Sequence, residues 1–80
     1  MLTYIITEEM VGEVAPEDLK SIADAIERRV IDDYDIEVRV AGRGESAGVF
    51  DVRGNPVPLS EEEEIALDEA FEAAKAEVWG

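Results

Sequence analysis

The chain has 80 residues, 21 of them Asp or Glu and seven Lys or Arg, for a formal charge of −14, and 46% of them are hydrophobic. This length supports one compact domain that buries roughly 60–65% of its unfolded surface, and the apolar fraction is too high for a chain kept unfolded by its charge. With neither Cys nor His, disulfides, zinc sites built on sulfur or imidazole, and thiol- or imidazole-based catalysis are excluded.

Leu2 to Thr7 is β-branched and aromatic and reads as a strand. Glu8 to Ala15, with Gly12, reads as a connection. Pro16 suits the first position of a helix, and Glu17 and Asp18 suit the positive end of its dipole. Leu19, Ile22, Ala23, Ile26 and Val30 recur at helical spacing, so a helix is predicted from Pro16 to Ile31 or Asp32. Ile36 to Val40 alternates apolar and charged residues, the pattern of a half-buried strand. Ala41 to Ala47 (AGRGESA) reads as a hairpin loop. The returning strand is predicted over Val49 to Arg53, with Phe50 and Val52 inward and Asp51 and Arg53 outward. Ser60 and Glu63 have capping-box spacing. A last helix follows from Glu61 to Val78 or Trp79, with Leu67, Ala70, Phe71, Ala74 and Val78 on its inner face.

The order β-α-β-β-α defines an α+β fold, a single compact domain over residues 1–80. Two helices are expected on one face of a three-stranded sheet, reached by a right-handed crossover. The simplest sheet places the third strand between the other two. Its uncovered face would carry Glu37, Arg39, Asp51 and Arg53.

The sign of the charge separates partner classes. Nucleic acids and anionic membranes are held by basic surfaces, so neither is expected as a partner, whereas a basic protein surface is. No apolar run reaches the ~18 residues of a membrane span, and the N-terminal MLTYIITEE is too short for a signal peptide. A cytoplasmic location is therefore expected.

No residue pattern nominates a catalytic centre, so no enzymatic activity and no cofactor are expected. A glycosidase-type carboxylate pair needs two acids facing each other across a cleft, and an 80-residue two-layer domain leaves little room for one. Asp32, Asp33, Asp35 and Glu37 are oxygen-rich, but a calcium loop begun at Asp33 would place Val38 where Gly is required. They read as acids of a solvated turn, and no metal site is assigned. Gly42-Arg43-Gly44 precedes a strand rather than a helix, unlike a phosphate loop. The element order is shared with small RNA-binding domains, but the glycine clamp, the stacking aromatics and the positive charge are missing.

The last helix carries the strongest functional signal. At 100° per residue, Glu61, Glu62, Asp68, Glu69 and Glu72 fall on one outward stripe, with Ile65, Ala76 and Trp79 within or beside it. Five carboxylates across eleven residue steps average about one charge per 4 Å of helix axis, comparable to the ~3.4 Å of axis per phosphate of one DNA strand. From Glu61 onward eight acids stand against one lysine, so half of the net charge sits in the last quarter of the chain. Such crowding repels at i,i+3 and i,i+4 and favours stability little. The first helix adds an outward set of Glu17, Asp24 and Glu27, with Asp18 at its edge, diluted by Lys20 and Arg28. Ile65 and Trp79 read as apolar anchors within an acidic rim. For Trp79 a terminal plug folded over the sheet edge is the other reading.

In its size, acidity, α+β pattern, acidic helix Ser60–Glu72 (SEEEEIALDEAFE) and acids Glu17, Asp18, Asp24 and Glu27, the chain resembles phage-encoded anti-CRISPR proteins. The resemblance is to the acidic, DNA-mimicking members that act on type I CRISPR surveillance complexes, type I-C among them. It implies a monomeric inhibitor in the host bacterial cytoplasm that occupies the Arg- and Lys-lined DNA path of such a complex (Cascade), on its backbone or PAM-recognising subunit. Two alternatives stand beside it. One is an acidic antitoxin or adaptor that neutralises another basic protein. The other is a housekeeping domain of a salt-loving organism, which the low lysine content fits and the uneven clustering of acids fits less well.

Overall fold

A computed structural model describes residues 1–79 as a three-stranded sheet with two long helices. The elements are β1 (Leu2–Ile6), a single-turn α1 (Glu8–Val11), α2 (Pro16–Tyr34), β2 (Ile36–Val40), β3 (Gly48–Phe50) and α3 (Glu61–Trp79). The α+β class and the three-stranded sheet agree with the sequence pattern. Strand order does not: the sheet runs β2-β1-β3, with β1 parallel to β2 and antiparallel to β3. Ala41–Ala47 therefore passes across the end of β1 instead of closing a hairpin.

The composition of β1 accounts for its central place. It is the longest uncharged strand, and it is buried from both sides. Tyr4 and Ile6 join the helix-side core with Ile36 and Val38 of β2, whereas Ile5 is buried on the opposite face. Leu19, Ile22, Ala23, Ala25, Ile26 and Val30 of α2, and Leu67, Ala70, Phe71 and Ala74 of α3, close the same core. Val78 is half-buried against it.

Helix α2 outruns its predicted end because Tyr34 adds a half-buried aromatic contact to the core. Asp35 then ends it in the left-handed conformation (φ 53°), its N–H donating to the Ile31 carbonyl. Asp32 and Asp33 thus lie in the last helical turn and not in a loop. The start of α3 follows the sequence signal: the Glu63 N–H donates to Ser60 Oγ (3.2 Å) and the Ser60 N–H donates to Glu63 Oε1 (3.1 Å). This reciprocal pair is a capping box.

Strand β3 is shorter than predicted and one residue out of phase. Val49, paired with Tyr4, packs toward the helices; Phe50, paired with Thr3, lies on the other face; Val52 is 82% exposed. Asp51 causes the early stop. Its Oδ1 accepts the N–H groups of Arg53 (2.8 Å) and Asn55 (3.0 Å), and the Gly54 N–H donates to its carbonyl. The chain turns there, with Gly54 at φ 85°, which favours glycine. It returns beside β3, where Phe50 bridges Pro56 and the Val57 N–H donates to the Val49 carbonyl. On the far edge of the sheet, the Val38 N–H donates to Glu27 Oε1 (2.9 Å). The β3 edge is thus paired with a returning segment, and the β2 edge is met at its middle by one side chain.

Candidate protein-binding surface

Helix α3 buries one side and turns the other away from the sheet. Glu61, Glu62, Asp68, Glu69 and Glu72 are all exposed, and Ile65 and Trp79 are each 50% exposed on the same outward side. The capping box fixes the first turn, so the charged stripe begins on an ordered helix end. Its first-turn acids, Glu61 to Glu64, sit at the positive end of the helix dipole. Glu72 is partly compensated by Lys75 (3.2 Å), whose ammonium also lies 5.0 Å from the Phe71 ring centre.

Both flanks of the stripe carry acids that the sequence reading left out. Glu64 is exposed and shares a shallow hollow with Asp68, Tyr4, Val49 and Leu59. Burial, and then the charge of Asp68, raise the Tyr4 hydroxyl above its usual pKa of 10. On the other flank, Glu69 and Ala66 share a groove with Arg29, Asp33 and Tyr34 of α2. The run Glu61–Glu64 was the available signal for Glu64. For Asp33 none existed, because its place depends on how the helices pack.

The second predicted group divides. Glu17 and Asp24 are exposed on α2. Glu27 is not on the outward set: it is half-buried, with its carboxylate turned to the β2 edge as the acceptor for Val38. Between the helices, Glu77 receives Arg28 Nη2 at 3.1 Å on one oxygen and Arg29 Nη2 at 3.0 Å on the other. The helix layer is therefore mixed in charge over α2 and strongly acidic along α3.

The uncovered sheet face keeps part of the charged surface expected there, with Arg39 and Asp51 lining it and Glu37 exposed on β2, but it also holds apolar residues. Thr3, Ile5 and Phe50 line a depression of about 450 Å³, with Arg39 and Glu45 also on its wall. Arg39 donates both Nη groups to the Glu45 carboxylate, and the Gly42 N–H donates to it as well (2.6 Å). The chain thereby satisfies this guanidinium internally. These donors, Arg39 foremost, lower the Glu45 carboxyl from its usual 4.5 to about 2. A carboxyl with a depressed folded value keeps its contact above the ordinary carboxylate range and loses it as pH falls through the folded value. An NMR titration of the Glu45 side-chain carboxyl should accordingly have its midpoint near 2. A midpoint at 4.5 would show that the loop has left Arg39.

Among the described residues, no three carboxylates converge closely enough to hold a metal ion, and no helix is long and apolar enough to cross a membrane. No protein-family model, curated protein or solved structure matches this chain.

Proposed function

We propose that this protein is a non-enzymatic inhibitor that lays the outward face of α3 in the basic DNA-binding path of another protein, in the manner of anti-CRISPR DNA mimics acting on a type I surveillance complex. One observation carries the reading: five exposed carboxylates follow a single ordered helix face that also presents two half-exposed apolar side chains, Ile65 among the acids and Trp79 beyond them. The carboxylates stand in for phosphates at a comparable charge per length of axis. Ile65 and Trp79 offer apolar contact that DNA lacks, a feature of protein docking sites. Because the helix is already folded, little ordering entropy opposes docking. The inhibitor excludes target DNA by competition in the bacterial cytoplasm and needs neither a cofactor nor a metal.

The test is displacement of labelled target duplex from a purified type I complex, followed by fluorescence anisotropy. Equimolar protein should displace the duplex at low salt, and its affinity should fall steeply between 50 and 500 mM salt (about 14 to 4 Å of screening length). Failure to compete, together with tight binding to a basic toxin, would move the assignment to the antitoxin reading. Folding only in molar salt would move it to the halophilic one.

A further inference from the structure

We propose that Arg28, Glu77 and Arg29 form a positioning clasp that keeps the last turn of α3 wound and so presents Trp79 on the docking face. This rests on the reading of α3 as that face. A helix end leaves its last carbonyls without intrahelical partners and is the place where fraying starts. In α3 the last turn contains no basic residue, while Glu77 places an anion at the negative end of the dipole. Alone, Glu77 would weaken this turn. The two guanidiniums from α2 reverse the balance, since each takes one carboxylate oxygen and together they bring the positive charge that the turn lacks.

The geometry links the clasp to the tryptophan. Residues two apart on a helix point about 200° apart. A grip on Glu77 from the α2 side therefore turns Trp79 to the opposite, outward side, where it is 50% exposed. Val78 fixes the intervening residue against the core. Trp79 itself has no place in the core, so its orientation depends on the wound backbone beneath it. A preordered anchor lowers the cost of association, and its loss is read mainly in the dissociation rate.

Glu77→Gln keeps the size of the side chain and removes its charge. In the free protein this variant should exchange the amides of Val78 and Trp79 about fivefold faster and lower the Trp79 fluorescence anisotropy, with the amides of Ile22 and Ile26 unchanged. Against the purified type I complex it should dissociate several-fold faster at nearly the same association rate. The double variant Arg28→Lys/Arg29→Lys, which keeps both charges, should stay near the wild type in all readouts. Unchanged exchange and anisotropy would overturn the clasp. Faster exchange with unchanged dissociation would overturn its role in docking. No binding by the wild type would remove the docking surface, and this proposal with it.

Discussion

Glu69→Lys combined with Glu72→Lys is expected to weaken docking about 100-fold, roughly tenfold for each reversed charge. Both residues lie at the middle of the exposed stripe, so a cationic groove meets repulsion there wherever it engages α3. The fold should tolerate the change. Reversal at Glu72 turns its repulsion with Asp68 into attraction and its pairing with Lys75 into repulsion, while positions 69 and 72 continue to carry like charges. These effects nearly cancel, and the stability of the double variant should stay within about 0.5 kcal/mol of the parent. Surface plasmon resonance against the type I complex, beside a thermal melt of the free protein, checks both halves. Undiminished affinity with an unchanged melt would remove α3 from the mechanism.

The largest effect on stability is expected from Ile26→Ala. Ile26 is fully buried in the core formed by α2, α3 and the sheet. Its truncation should cost about 2–5 kcal/mol, through lost transfer energy and the cavity left behind. A domain of this length has only about 4–12 kcal/mol in total, so the melting temperature should fall by about 12–30 °C. Val52→Ala is the matching control. Val52 would be a core residue in the predicted strand phase but is 82% exposed, so its truncation should change stability by less than about 0.5 kcal/mol. Similar losses in the two variants would restore the predicted phase of β3.

The two long helices were legible because their signals are local, whereas the single turn α1 falls in the stretch read as a connection. Pro16, the Ser60–Glu63 pair and the apolar spacing of α2 and α3 each lie within a few turns of the chain and lead to the observed elements. The outward stripe of α3 was legible for the same reason, since helical periodicity alone places Glu61, Glu62, Ile65, Asp68, Glu69, Glu72 and Trp79. Strand order and phase depend on partners distant in sequence. Val49, Phe50 and Val52 supply apolar residues to either phase, so alternation could not decide between them. The deciding residue is Asp51, whose turn removes Val52 from the sheet. An unbroken uncharged run over Leu2–Ile6 was the available hint that β1 is central. The role of Glu27 was hidden for a similar reason: helical spacing puts it near the outer face, and only the docked β2 edge supplies the N–H that draws it inward.

The two sheet edges are unequally guarded. Pro56–Val57 runs alongside β3, whereas β2 is met at its middle by a single carboxylate, that of Glu27 on the Val38 N–H. An extended chain adding itself to β2 as a fourth strand would have to push that carboxylate aside. One acidic side chain of α2 thus stands sentry over the open backbone, and losing it would invite strand addition without altering the charge along α3.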